Sequence, residues 1–251
     1  MSAASRGRPL IVRFLHFEDK EYIMQHRHWL KNTGIYIEDH FCAETMRKRG
    51  SLIPILKEMK KLDPRTQLRG DKITYKGRLY NNANLHELPI DAHNATTKTK
   101  DEVTLFSGRF SRLSNLNPVC LEIDNREWQS VEHYYQFQKA IHAGNEEVAR
   151  TIIVTQDPVE VMYLGKTVKA QQDWNETFGK DIMRKAMEVK FSIPAYRLAL
   201  KKTAKFIGEA TRSAFWGVGK PMNDPDAYNR RSWSGKNITG EILMSIKQII
   251  K

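Results

Sequence analysis

Two cysteines, Cys42 and Cys120, are all that the 251 residues contain, too few for a disulfide framework or a cysteine-based zinc site. No apolar run approaches the roughly 20 residues that a membrane-spanning helix needs. The opening stretch MSAASRGRPL has no apolar core of the kind a secretory signal carries. Excess acid is missing too: 29 Asp and Glu stand against 41 Lys and Arg, for a net charge of +12. What is present is ordinary globular material, 40% hydrophobic and 10% aromatic, which excludes a largely disordered chain. The expectation is a soluble, intracellular protein of one large or two smaller domains, with cytoplasm and nucleus left open.

The positive charge is uneven. Residues 1–100 hold 19 Lys and Arg against 11 Asp and Glu, whereas residues 101–251 hold 22 against 18. A basic front suits a nucleic acid or another polyanion. It suits a solvated surface that keeps the chain dissolved equally well.

Hydrophobic rhythm and turn residues divide the chain into three. Over residues 1–80, Pro9–Phe17 reads as a strand and the stretch to about Leu30 as a helix. Ile35–Ile37 reads as a second strand, and Ala43–Leu62 as a helix in which Pro54 marks a break or a fresh first turn. Residues 67–75 form a hairpin, which completes a small basic βαβαββ domain. Residues 81–102, crowded with Asn, Thr, His and Lys, read as a linker. From residue 103 to 251 helices dominate, with strands expected only at about 103–106 and 120–123. Ser130 can cap a helix running to about Ala143, Asp157-Pro158 starts another that Gly165 closes, and Asn237 can cap the last. The predicted fold class is α+β, a small βαβαββ N-terminal domain followed by a mainly α-helical one.

The densest chemistry lies after Trp128. On a helix Glu132, Gln136 and Lys139 share one face, so a carboxylate and an amine stand beside Tyr134 and Tyr135. That pairing offers a base or charge stabiliser and a nucleophile. It is also the spacing of a solvent-exposed ion pair worth a few tenths of a kcal/mol, roughly. Trp216-Gly217-Val218-Gly219 puts a flat ring beside flexible backbone, suited to stacking on a base or to a core tryptophan at a tight turn. Gly235-Lys236-Asn237 could present N–H groups to a phosphate, or simply begin a helix.

The order of these features carries more than any one of them. Phe106-Ser107, Ser114-Asn115, Trp128-x-Ser130-x-Glu132-His133-Tyr134 with Gln138-Lys139, Asp173-Trp174, Met183, Lys190-Phe191, Glu209-x-Thr211, Trp216-Gly217-x-Gly219 and Gly235-x-Asn237-x-x-Gly240-x-x-Leu243-Met244 resemble the NADAR family over about residues 103–250. That family includes the bacterial riboflavin-pathway N-glycosidase, and its members are mainly helical. The resemblance implies hydrolysis of the N-glycosidic bond between a ribose (phosphoribose or ADP-ribose) and a nucleobase-like leaving group, including ADP-ribosylated guanine. It implies no metal and no cofactor. Glu132 and Lys139 become the expected catalytic pair, with Lys139 acting through a Schiff base or only orienting its neighbours. Ser114, Asn115, Trp128, Tyr135, Trp174, Ser213, Trp216, Gly217 and Asn237 become expected substrate contacts, and Arg109, Lys166 and Lys190 phosphate candidates. Ser213 stands where the family usually has an aspartate, which keeps open a non-catalytic reader of ADP-ribose or nucleotide. Leu113 and Leu116 also depart from the family's aromatic setting around Ser114-Asn115.

Residues 7–80 also show a resemblance. Arg8-Pro9-Leu-Ile-Val-Arg-Phe14, Cys42-Ala43-Glu44-Thr45 with Arg47-Lys48-Arg49, Pro54-Ile-Leu and Lys72-Ile-Thr-Tyr-Lys-Gly77 are similar to the C-terminal domain of LINE-type retrotransposon first open-reading-frame proteins. That similarity implies a part in binding single-stranded RNA or DNA. The coiled coil and RNA-recognition domain that normally precede it do not occur in these residues.

Overall fold

The computed structural model describes residues 10–81, 84–171 and 173–250. In the front region α1 (Phe17–His26) runs into a 3-10 turn, and α2 (Ala43–Leu62) follows. After it, β1 (Gln67–Arg69), β2 (Lys72–Tyr75) and β3 (Arg78–Tyr80) make an antiparallel meander. Neither earlier strand forms among the described residues: 10–16 and 35–40 have no regular structure, and Pro9 lies outside them. The β-branched composition there is suitable, but a strand needs a neighbour to satisfy its amides and a core to cover its face. Leu10, Ile11, Leu15 and Ile35 are all exposed. The order is therefore ααβββ rather than βαβαββ.

Helix α2 passes through Pro54 without a break. The carbonyl that loses its amide belongs to Gly50, which is exposed and open to water. The buried face of α2, Leu52, Ile55 and Met59, packs on Ile73 and Tyr80 and then on Leu85, Leu88 and Ala95. The stretch expected as a linker thus supplies part of the front core. It continues through α3 (Ala92–Thr96) directly into β4 (Thr97–Lys100).

That strand opens a second sheet. β4 lies antiparallel to β5 (Val103–Phe106), and β5 lies parallel to β8 (Phe206–Glu209). All four residues of the central strand β5 are buried. Val103 and Leu105 face a cluster with Ala210 and Ala227, while Phe106 and Ile207 face the helices. A hairpin of β6 (Leu121–Ile123) and β7 (Arg126–Trp128) turns on Asp124 and Asn125, both left-handed at φ 56° and 57°, as a two-residue primed turn requires. Six helices complete the region: α4 (Val131–His142), α5 (Glu146–Val154), α6 (Pro158–Thr167), α7 (Lys180–Ser192), α8 (Pro194–Lys201) and α9 (Ile238–Ile249). Helix α4 lies against α5, α6 and α7, so its residues are largely shut away from water.

Local signals act here as side-chain chemistry allows. Ser130 caps α4 by accepting the His133 amide, and Asp157 caps α6 by accepting that of Val159. Gly165 does not close α6, which continues to Thr167. Its hydrogen serves an approach: a β-carbon there would lie 1.9 Å from Gln136 Oε1. Asn237 precedes α9 in a left-handed conformation without capping it by its side chain. Instead Asn237 Oδ1 accepts the Glu209 amide at 3.0 Å and its Nδ2 donates to the Ile207 carbonyl at 2.9 Å, stitching the start of α9 to β8.

Candidate active site

Glu132, in the first turn of α4, is 2% exposed. A carboxylate taken this far from water needs donors on its oxygens. Gln136, one turn on, donates to Oε1 at 2.8 Å, and the Asn115 side-chain amide donates to Oε2 in a short contact. The main chain closes the arrangement, since the Glu132 amide donates to the Asn115 carbonyl at 3.1 Å. Burial raises the proton affinity of Glu132, against the pull of the two amides and of Lys139 and Lys166.

Lys139 lies two turns along the same face. Seven residues rise about 10 Å, and a long lysine arm that leans toward the helix N-terminus shortens the gap between amine and carboxylate. Its Nζ donates to the Gly165 carbonyl at 2.9 Å. Half-burial lowers the proton affinity of this amine, with Glu132 pulling the other way. The exposed surface pair that the spacing also allowed is not what the structure contains, because one partner is sealed and the other is held by a carbonyl.

Aromatic residues wall the same region. Tyr135, three residues after Glu132 on α4, accepts from Trp174 Nε1 at 2.9 Å and donates to Asn175 Oδ1 at 2.9 Å. Burial raises its hydroxyl's proton affinity, so it serves as a neutral donor and acceptor. Trp216 meets Tyr135 edge-on at 5.5 Å between centroids. After Trp174 the chain makes a π-helical turn over Asn175–Gly179, and Gly179 lets the Trp174 ring close in, since a β-carbon there would sit 2.9 Å from its Nε1. Such widened turns are frequent at functional sites.

Asn115, Glu132, Tyr135, Lys139, Trp174 and Trp216 therefore come together, with Lys166 next to Gly165. The other sequence candidates have local partners. Trp128 is buried against Phe137 and donates to the Ile123 carbonyl inside its hairpin. Ser213 accepts the Trp216 amide at 3.0 Å across its own turn. Gly217 packs against Thr211, and Asn237 is the stitch already described. Ser114 is buried, and its carbonyl receives Lys190 Nζ at 2.6 Å. Lys190 is fully buried, and desolvation alone drives its proton affinity well down; it fixes the loop that carries Asn115 and has no face left for a phosphate. Arg109 is held by both oxygens of Asp157 at 2.8 and 2.9 Å, so its charge is largely spent. Among the described residues no group of three or more His, Cys, Asp or Glu gathers in a way that could hold a metal ion, and no helix is long and apolar enough to cross a membrane.

Two residues of this region were not singled out as site residues by the sequence. Gln136 lay on the stripe but was given no role, although it fills one side of the carboxylate. Glu209 ends β8, parallel to β5, at the strand end where open α/β sheets gather ligands. Its Oε2 and the hydroxyl of Thr211 are buried with no hydrogen-bond partner among the described residues. Burial pushes the Glu209 carboxyl up to about 7, helped by the negative charge of Glu132 and opposed by Thr239. The Glu209-x-Thr211 pair was among the motifs that carry the family resemblance, but Glu209 was given no role, and Phe206-Ile207-Gly208-Glu209 is too short, and too interrupted by glycine, to read as a strand.

Comparison with known proteins agrees on where the family resemblance lies. The chain is 30% identical over 143 residues to an N-glycosidase of Nostoc punctiforme, covering 55% of this chain and 84% of that protein. It is 25% identical over 169 residues to the N-glycosidase YbiA of Escherichia coli, covering 64% and 96%. Protein irg-1 of Caenorhabditis elegans is 27% identical over 124 residues, and the match spans 47% of this chain and 58% of that protein. The solved NMR structure of Escherichia coli YbiA aligns over 65% of this chain with a TM-score of 0.48. The NADAR domain matches residues 94–251, well over half of the molecule, and this chain belongs to the NADAR family.

Proposed function

We propose that this protein hydrolyses an N-glycosidic bond between a ribose and a nucleobase-like leaving group, with Glu132 as the residue that meets the sugar. The observation that carries the reading is the buried Glu132 carboxylate held by Asn115 and Gln136 with the Lys139 amine on the same helix face. Cleavage puts positive charge on the anomeric carbon and negative charge on the departing nitrogen. A carboxylate in a low-dielectric setting stabilises the first far more than it would in water. Each oxygen of Glu132 accepts one side-chain amide, and its second lone pair is the one that suits a water or a sugar hydroxyl. Glu132 then takes a proton from that water as the water oxygen bonds to the anomeric carbon and the carbon–nitrogen bond breaks, and the same proton passes from Glu132 through solvent to the departing nitrogen. Glu209 supplies a second buried carboxylate, whose unpartnered oxygen suits a ribose hydroxyl and takes over a role that Ser213, tied to Trp216, does not fill. Lys139 provides an alternative nucleophile, because burial raises its neutral fraction.

Relatives named N-glycosidase support the class of reaction. The test is a product screen for free base and released sugar, with a phosphoribosylamino-pyrimidine and an ADP-ribosylated guanine as the two substrates. Glu132→Gln is expected to lose at least about a hundredfold in kcat, and turnover equal to wild type in that variant removes the reading. Borohydride reduction during turnover decides the route: a sugar adduct on Lys139 establishes the imine, and its absence leaves direct hydrolysis. Ligand-induced thermal stabilisation with no turnover on either substrate would instead make the protein a reader.

A second part of the reading concerns the front region. Tyr22, His26 and Trp29 form an exposed ring cluster with centroids 4.2 and 4.4 Å apart, and aromatic faces among cations suit unstacked bases. It supports a single-stranded nucleic acid as partner, tested by binding of an oligonucleotide as salt is raised.

A further inference from the structure

The first turns of α2 run beside α6. Glu44 senses Asp157, Lys48 senses Glu160, and the Arg47 guanidinium lies 4.5 Å from the centre of the Tyr163 ring. Lys166 Nζ lies over that same ring at 4.4 Å. Most neighbouring charges are already matched, with Lys48 on Glu44 and Arg109 on Asp157. Arg47 and Lys166 are not: among the described residues neither has a carboxylate within ion-pair distance, and both stand against the Tyr163 ring. Two cations on one ring repel each other, and the ring quadrupole offsets only part of that. An anion that reaches both cations offsets that repulsion.

The place of this pair relative to Glu132 gives it meaning. Lys139 Nζ is bonded to the Gly165 carbonyl, next in the chain to Lys166, and Lys166 is near enough to Glu132 to act on its charge. Lys139 and Lys166 thus stand on the Glu132 side of Tyr163, and Arg47 stands against that ring. Arg47 precedes residue 94, where the NADAR match begins, so the front region meets the family domain at Tyr163.

Resting on the ribose-directed reading of Glu132, we infer that Arg47 and Lys166 form a subsite for a phosphate ester carried by the sugar, so that the front region completes the substrate site. Guanidinium and ammonium together suit a phosphate dianion or a diphosphate, with Arg47 giving the paired N–H contact.

The experiment is calorimetric binding of ribose, ribose 5-phosphate and ADP-ribose to the full chain, as wild type and as Arg47→Ala, Arg47→Lys and Lys166→Ala, with melting temperatures recorded. Arg47→Ala is expected to weaken both phosphate esters by about tenfold, as loss of a charge-assisted contact does, while ribose binding and melting stay unchanged and Arg47→Lys recovers part of the loss. The two esters separate a monophosphate from a diphosphate subsite. Unchanged ester binding in Arg47→Ala overturns the inference, as does an equal loss of ribose binding, or wild-type protein that takes up neither ester. Ester binding that depends on Arg47 in a protein without turnover keeps the subsite and removes the hydrolase. Turnover with an unaltered KM in Arg47→Ala removes the subsite and keeps the hydrolase.

Discussion

Gly165 shows how little space the site residues leave one another. It lies inside α6, and its missing side chain is the room that Gln136 occupies. Gly165→Ala forces that amide away from Glu132 or bends α6, and overpacking of this kind costs about 1–3 kcal/mol. The variant is expected to melt lower and to lose activity with it. Because the clash is with one side chain, Gly165→Ala combined with Gln136→Ala should regain most of the stability but not the activity. Urea unfolding of the two single variants and the double variant measures that coupling.

Glu209 has the opposite character, a group that fits in volume and strains in charge. Its folded-state proton affinity is raised to about 7 by burial, whereas an unfolded glutamate titrates near about 4.3. The native state thus holds the proton more tightly, so the contribution is fully present below about 4.3 and is lost as pH rises through about 7. His93, pushed down to about 4 by burial, acts with the reverse slope over the acid part of that range. The difference between wild type and Glu209→Gln isolates the carboxyl. Relative to wild type, the variant should gain stability steadily from pH 5 to about 7.5, as read from melting temperatures. A flat difference would mean that Glu209 is not charged against its surroundings.

At the scale of elements, what the sequence disclosed depended on whether a structure is held by its own residues or by neighbours. Ser130 and Asp157 act within a few residues of themselves, and each appears where its chemistry requires. The shared face of Glu132, Gln136 and Lys139 on α4 was legible for the same reason, being a periodicity. Strand β8 and the burial of Glu132 were not, since both depend on partners far along the chain, Phe106 in one case and Asn115 in the other. The strands expected at residues 9–17 and 35–37 failed in the converse way, with suitable residues and no partner among those described.

Asn237 tests this distinction, because it looks like a cap and works as a stitch. Replacing it by alanine removes two buried hydrogen bonds and places a β-carbon that prefers other backbone angles at φ 55°. The summed cost is about 2–5 kcal/mol. Asn237→Gly keeps the left-handed backbone and loses only the bonds, so it should fall short of that loss by about 1 kcal/mol. Equal destabilisation of the two variants in urea would show that the backbone angle contributes nothing.

Across the whole molecule the front region and the family domain do not part at the end of β3. Leu85, Leu88 and Ala95 belong to the core built on α2, Lys98 on β4 pairs with Glu58 on α2 at 2.9 Å, and β4 belongs to the second sheet. A chain shortened to begin at residue 81 keeps Leu85 and Leu88 while losing the surface that covers them, and exposed apolar patches of that sort drive association. A chain beginning at residue 94 drops those leucines yet retains β4 to flank β5. The shorter protein is therefore expected to remain monomeric at concentrations where the longer one self-associates, and to melt at least as high. Light scattering and thermal unfolding of the two, side by side, check this. If the chain that starts at 81 proves the better behaved, residues 85–95 pack on the family domain rather than on α2, and the boundary lies nearer to residue 80. Activity adds a separate measure. If Arg47 contributes to the phosphate subsite, both shortened chains should show a raised KM for a phosphorylated substrate with kcat preserved, because Glu132, Asn115, Gln136 and Lys139 all lie in the part that remains.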